Sequence, residues 1–511
     1  MAAIGGNTTS GPSEPVPGAR AALALLLIIN LFNYIDRQVL SAVLPLLEVD
    51  ANLFDPADKL LEFKLGLLTS AFLVSYTLLS PVFGWFGDRS RRWLVVGVGV
   101  TIWSLASGAS GLATGFVMLL LTRCLVGIGE AAYGPVAPSM LSDMYPARVR
   151  GRIMAYFYLA IPVGSALGFV IGGLVAQAFG WRTAFLVTLL GLIPAIICFL
   201  MREPPRPVRE PGTAEPAKPS YFAVLRELRT IRSFVLCCAG MTCTTFMLGG
   251  VAAWTPRYVF QREARFELTE KSLTDLQAAK NTKGEPLVPV AITNKLAPLV
   301  GTGNMSYANF KTALLDKLGN DDLKQYGERV YAAATTADSI TLGGVNFRFG
   351  LIVVLGGLSA TLLGGLFGDK LRDRGYRGAY FHAAGWTTML AWPCFVAVLF
   401  VPFPAAWLLL FVAVFFLFFN TGPANTILAN VTRSNIRATA FAINILIIHL
   451  LGDVISPPII GLISGFADLN TAFLVVSFAI PLGGLLWVLG ARSLDADTAK
   501  ADATSQTPAT Q

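Results

Sequence analysis

The stretch Leu31-Phe32-Asn33-Tyr34-Ile35-Asp36-Arg37-Gln38 places two ionisable side chains inside an otherwise apolar run. That run extends from about Ala21 to Leu47, long enough for a helix to cross hydrocarbon. Charged groups at such depth are costly and are retained mostly where they line a cavity, an ion path or a partner charge. Asp36 is therefore the first candidate functional residue, and the question is what the rest of the chain places around it.

The chain has 511 residues, of which 54% are hydrophobic and 14% charged. Its mean hydropathy is +0.62. A soluble domain carries about a quarter charged residues, so lipid must be the solvent for much of this surface. The net charge of +8 is no nucleic-acid signal, because Lys and Arg in a membrane protein mainly report topology. The six cysteines all fall in apolar segments and show neither a disulfide framework nor metal-ligand spacing. No metal and no cofactor are expected.

Twelve apolar segments follow in order, near 19–47, 62–86, 93–114, 116–141, 149–178, 182–201, 232–260, 346–367, 378–401, 405–431, 436–465 and 470–492. These are spans 1 to 12. Every loop from an even to an odd span is basic, as in Arg89, Arg91 and Arg92, or Lys370, Arg372, Arg374 and Arg377. The short opposite loops Gly111–Gly115 and Pro402–Ala406 carry no basic residue. The positive-inside rule puts both termini and the basic loops in the cytoplasm of a cell-membrane protein. The expected division is a disordered tail over 1–18, a six-span half over 19–202, a Pro-rich cytoplasmic linker over 203–220, a second half over 221–493 and a disordered tail over 494–511. The polar segment 261–344 reads as an external insertion, with short amphipathic helices over Phe310–Gly319 and Asp321–Ala334.

An internal repeat supports two related halves. Gly87-Asp88-Arg89 after span 2 is echoed by Gly368-Asp369-Lys370 after span 8. Arg150 before span 5 matches Arg437 before span 11, and Thr183-Ala184-Phe185 matches Thr471-Ala472-Phe473. The repeated turn resembles the loop motif of the major facilitator superfamily, although Arg91 stands where that motif has a later Gly. Asp88 and Arg89, with Asp369 and Lys370, are then expected to form a conformational latch. Asp88 would accept from backbone N–H groups at a neighbouring helix N-terminus. The plain alternative is an ordinary basic turn.

Span 4 contains Arg123-Cys-Leu-Val-Gly-Ile-Gly-Glu130 and then Tyr133. Arg123 and Glu130 are seven residues apart, close to two turns, and share a face. Such a charged pair signals a buried, water-accessible cavity or a structural ion pair between helices. Gly127 and Gly129 permit close helix contact. If spans 1 and 4 line one cavity, as they do in the superfamily, Asp36, Arg123 and Glu130 form a mixed-charge cluster. Moving the arginine toward or away from an acid would release or capture a proton. Arg37 points about 100° from Asp36 around the helix and has two readings, a substrate contact or a helix anchor.

Span 5 carries Gly164, Gly168, Gly172 and Gly173, which fit tight packing. In the second half, His449 and Asp453 stand at i and i+4 in span 11, where a satisfied pair is the commoner explanation. Asn420 and Asn425 make span 10 polar and kink-prone, and Trp254-Thr255-Pro256 in span 7 is a candidate gate.

Asn33-Tyr34-Ile35-Asp36-Arg37, the Arg123 to Glu130 run and His449-Leu-Leu-Gly-Asp453 with Ser456-Pro457 resemble the Spinster family of that superfamily. The closeness of the match points to a bacterial member. The resemblance implies an all-α membrane fold of two pseudo-symmetric six-helix bundles. It also implies proton-coupled, alternating-access movement of amphipathic lipids such as lysophospholipids or sphingosine-1-phosphate. By position, Asp36 and Glu130 would be coupling acids, and Arg123 their partner and a phosphate contact. Tyr34, Arg37, Tyr133, Asn420, Asn425 and His449 complete the candidate substrate contacts. The proton is the expected coupling ion. The expected partners are the lipid substrate and membrane lipid, with no nucleic acid, and the expected state is a monomer. No nucleophile–base pair or phosphate-binding loop marks an enzyme. The alternatives are a proton-linked drug or organic-anion antiporter and a non-transporting lipid sensor.

Overall fold

The computed structural model describes residues 14–50, 52–55, 58–204, 221–279, 286–336, 339–433 and 436–506. Twelve helices within them are long and apolar enough to cross a membrane. They run Ala19–Val49, Leu61–Gly87, Arg92–Ser110, Phe116–Met144, Arg152–Phe179 and Trp181–Leu200, then Arg232–Glu263, Leu342–Asp373, Ala379–Phe400, Ala405–Val431, Thr439–Phe466 and Leu469–Gly490. These are spans 1 to 12 of the sequence, with ends shifted by a few residues. Local chemistry sets several of the ends. Gly180, at φ 83°, stops span 5 and starts span 6. Thr341 and Asp468 cap spans 8 and 12 by accepting from the N–H groups of Gly344 and Thr471.

Small residues bring the spans of the first half together. A Cβ on Gly168 would lie 2.5 Å from the Ile35 carbonyl oxygen, so span 5 presses directly on span 1. A Cβ on Gly127 would lie 2.3 Å from the Phe72 carbonyl oxygen, so span 4 closes on span 2. The two halves meet along two seams. On one, Asn346 of span 8 donates to the Ala42 carbonyl of span 1 at 3.1 Å and packs against Gly173 of span 5. On the other, a Cβ on Gly461 of span 11 would lie 2.2 Å from the Glu62 carbonyl oxygen of span 2. Ser70 donates to the Val454 carbonyl along the same seam. Most of these contacts lie toward the end of the bundle that carries the insertion, which is closed.

The insertion has its own core. Arg265–Phe266 pairs antiparallel with Met305–Ser306, and short helices Glu270–Ala278 and Val290–Leu296 precede a longer helical segment, Tyr307–Ala334. Gly319, at φ 69° and ψ 179°, breaks that segment into the two helices expected from the sequence. Phe266 stacks on Phe310 at 5.1 Å, and Tyr331 meets both edge-on.

Two expectations change at the end of the bundle opposite the insertion. Leu494–Gln506 is a helix and not a disordered tail. Leu494 packs beneath the second half, and Asp497 accepts from the Ser233 N–H at the start of span 7. The linker is also structured at its edges. Glu203 accepts from the backbone N–H groups of Arg92 and Trp93 at the start of span 3, while the Arg92 side chain bridges Glu203 and Asp143. Tyr221–Leu228, just past the linker, is a short amphipathic helix with Val224 and Leu228 buried. Residues 1–13, 205–220 and 507–511, which hold most of the expected N-terminal tail and linker and the end of the C-terminal one, lie outside the described residues.

Candidate functional site

Spans 1 and 4 bring four ionisable side chains into the interior of the first half. Asp36 and Arg123 are each 2% exposed, and Glu130 is fully buried. They form two crossed pairs. Arg37 Nε and Nη2 both lie 2.8 Å from Glu130 Oε2. Arg123 Nη2 lies 3.8 Å from Asp36 Oδ2, and Ser107 of span 3 donates to Asp36 Oδ1.

This arrangement corrects the expected cluster in one respect. Arg123 is the partner of Asp36 only, and Glu130 takes Arg37. Seven residues along a helix amount to about 10.5 Å of rise, so Arg123 and Glu130 share a face without sharing a contact. The 100° turn from Asp36 to Arg37 then becomes the means of pairing. It aims one span 1 side chain at each of the two span 4 charges.

The Arg37 guanidinium is also held by three rings, with centroids of Tyr34, Phe72 and Tyr76 at 4.8, 4.9 and 5.0 Å. Arg123 has one ring, Phe185 at 5.5 Å. Arg123 Nε and Nη2, Asp36 Oδ2 and Glu130 Oε1 have no hydrogen-bond partner among the described residues. An ion pair buried with spare polar atoms is electrostatically unfinished, and a proton or a ligand headgroup could complete it.

One turn of helix beyond Tyr34, Gln38 borders a cavity of about 200 Å³ between the halves. Its far wall is mainly apolar, with Leu248, Phe349 and Phe418, and Asp453 is its one carboxylate. His449 Nδ1 lies 2.9 Å from Asp453 Oδ2 inside a π-helical turn, as the spacing predicts. The polar Gln38 and Ser165 of the first half thus face a largely apolar wall of the second half that carries one His–Asp pair.

The other candidates are placed elsewhere. Tyr133 is 3% exposed, donates to the Leu26 carbonyl at 2.7 Å and packs edge-on against Trp103, so it ties span 4 to span 1 and offers nothing to a ligand. Asn420 donates to the Leu417 carbonyl and Asn425 to the Thr421 carbonyl, each within its own helix. A polar side chain beside a free carbonyl at a helix break is satisfied there first. The side chain of Asp88 lies outside the described residues, and Arg89 is exposed, lying over the Trp85 ring at 4.3 Å. Asp369 accepts from the Tyr380 hydroxyl at 2.7 Å, not from a backbone N–H, and Lys370 is exposed.

A second buried charged assembly among the described residues has no counterpart in the sequence expectations. Arg257 of span 7 is fully buried and donates to Glu48 of span 1 and Glu62 of span 2, both at 2.8 Å. Gln261 and Lys311, the latter from the insertion, donate to Glu48 at 2.9 and 2.7 Å. The expected gate at Trp254-Thr255-Pro256 stops one residue short of the side chain that crosses the seam. Trp254 itself bonds to Pro457 within its own half. The rule that singled out Asp36, a charge inside an apolar run, applies equally to Arg257.

Two six-span halves, closed over one end around a buried charged core, are the architecture of a major facilitator superfamily transporter. The family model described as Major Facilitator Superfamily matches residues 26–284. Protein spinster homolog 1 of Homo sapiens is 32% identical over 511 residues, covering 95% of this chain and 83% of that protein. Protein spinster homolog 3 of Danio rerio is 30% identical, covering 95% of this chain and 88% of that protein. Among solved structures, a bacterial homolog to the human lysosomal transporter Spinster, inward-facing and unoccupied, shares the fold at TM-score 0.68 and 19% identity, over 94% of this chain and 98% of that one. The chain belongs to the Spinster family of the major facilitator superfamily. It is a multi-pass membrane protein of a transporter family, not of an enzyme family.

Proposed function

We propose that this protein moves single-chain amphipathic lipids with an anionic head, of the lysophospholipid or sphingosine-1-phosphate kind, by proton-coupled alternating access. The observation that carries the reading is the pair of crossed ion pairs, in which Asp36 and Glu130 each keep one buried oxygen without a hydrogen-bond partner among the described residues. A proton taken up by Glu130 removes the charge that holds Arg37. The freed guanidinium, already framed by three aromatic rings, is then available to a phosphate, for which arginine is suited. Loss of the proton restores the pair and expels the headgroup. Asp36 and Arg123 offer a second, looser site for the same exchange, since at 3.8 Å the two groups attract without a hydrogen bond between them. The apolar wall of the second half suits the chain of the substrate. On this reading the protein sits in the cell membrane with both termini in the cytoplasm and the insertion outside, which the basic even-to-odd loops support. The bundle is then closed outward.

The test is uptake into proteoliposomes under an imposed pH gradient, with a panel of lysophospholipids, sphingosine-1-phosphate and their phosphate-free analogues. Transport that depends on the gradient, on the phosphate and on the chain supports the reading. Equal transport of chainless organic anions would make it a drug or anion antiporter. Binding without gradient-driven uptake would make it a sensor.

A further inference from the structure

The insertion does more than cover the bundle. Beneath it lies a cavity of about 850 Å³, within the roughly 300–1,000 Å³ of ligand sites. Its floor is the end of span 1, with Pro45, Leu46 and Val49. One wall is the end of span 5 from Ala176 to Gly180, and its roof is the insertion, with Phe266, Tyr307 and Tyr331. The floor and wall belong to the first half, and Leu342 at the start of span 8 adds an edge from the second. The cavity therefore sits over the outer end of the seam between spans 5 and 8.

Three features point to an occupant. The lining is dominated by apolar groups, and the cavity lies beside Phe179, which is 73% exposed at the end of its span. Tyr331 is 7% exposed, and its hydroxyl has no hydrogen-bond partner among the described residues. A buried hydroxyl left unpaired costs free energy that a ligand acceptor would recover. Arg329 stands exposed on the cavity wall, with one guanidinium nitrogen bonded to the Leu287 carbonyl and the remaining donors available to an anion.

We propose that this cavity is an outer site for the transported amphipath, holding its chain against Leu46 and Phe266 while Tyr331 and Arg329 engage its anionic head. The inference rests on the lipid reading above and adds a second station for the same molecule. Because Lys311 of the roof also bonds Glu48 in the Arg257 assembly, the station and the closure between the halves are built from one piece. A chain resting under the insertion lies next to the seam that must open to release or admit it.

The test is photo-crosslinking of the full-length protein in lipid nanodiscs, with lysophosphatidic acid carrying a diazirine on its chain, read by peptide mass spectrometry. Labelling is expected both around Tyr34 and in peptides from 326–335 and 174–180. Ala332→Trp, which fills the cavity from an exposed position, should remove the outer labelling and leave the central labelling. Arg329→Ala should lower outer labelling by lysophosphatidic acid about tenfold, and labelling by a lysolipid of zwitterionic head less. Central labelling with no outer labelling, or outer labelling indifferent to both substitutions, overturns the outer site and leaves the transport reading standing. Outer labelling that both substitutions reduce, without gradient-driven uptake, upholds the outer site and overturns the transport reading instead.

Discussion

The Arg37 guanidinium lies 2.8 Å from the Glu130 carboxylate across spans 1 and 4, while its chain neighbour Asp36 turns to Arg123 at 3.8 Å. Adjacent residues of one helix thus serve two separate ion pairs. The tight pair is caged by rings and the loose pair is not, so the two differ in how readily they open.

If both carboxylates take part in coupling, Asp36→Asn and Glu130→Gln each abolish pH-gradient-driven uptake while the protein still elutes as a folded species. Proteoliposome flux measures this. Wild-type flux in both variants would remove proton coupling through this cluster.

Arg37→Ala leaves the Glu130 charge buried alone, which costs about 3–5 kcal/mol. Thermal unfolding in detergent should show a large drop in Tm. Adding Glu130→Gln should restore most of it, because the stranded charge is then gone. Simple addition of the two losses would mean that the pair does not act as a unit.

Tyr133→Phe should cost about 1 kcal/mol, the worth of its bond to the Leu26 carbonyl, with transport unchanged. A selective rise in lipid KM at unchanged Tm would instead put Tyr133 back among the substrate contacts.

Arg257→Ala separates span 7 from Glu48 and Glu62 and should shift the population toward opening at the insertion end. Spin labels at Leu112→Cys, in the loop between spans 3 and 4, and at Ala405→Cys, the first residue of span 10, would report a longer distance by pulsed electron resonance. An unchanged distance distribution would show that the glycine seams alone hold the closure.

Gly461→Ala tests those seams directly. Its new methyl carbon would stand 2.2 Å from the Glu62 carbonyl oxygen, so span 11 must retreat from span 2. The expected outcome is faster labelling of a Ser70→Cys variant by a water-soluble thiol reagent. No change would locate the tight contact elsewhere.

Much of this was legible in the chain. The twelve spans follow from runs of apolar residues whose length matches hydrocarbon, a local property that needs no knowledge of neighbours. The halves follow from the Gly-Asp-Arg/Lys repeat, and the last two helices of the insertion from the amphipathic runs Phe310–Gly319 and Asp321–Ala334. His449 and Asp453 were paired correctly because i and i+4 on one helix meet whatever surrounds them. The terminal helix Leu494–Gln506 was missed because its own composition is polar. What orders it is the underside of the second half, through Leu494 and Asp497.

The sequence by itself marked Asp36, Arg37, Arg123, Glu130 and Asp453 as charges inside apolar runs, and the same rule extends to Arg257. Only the tertiary structure decided their partners on other helices. Pairing between helices depends on axial level and rotation, set by Gly168 against span 1 and Gly127 against span 2. Those contacts are long-range, so no spacing within one helix encodes them. Hence Arg37, whose role its position left open, is the residue that holds Glu130, and Glu48 of span 1 is joined to Arg257, some two hundred residues away in the chain, by the closing of one half on the other.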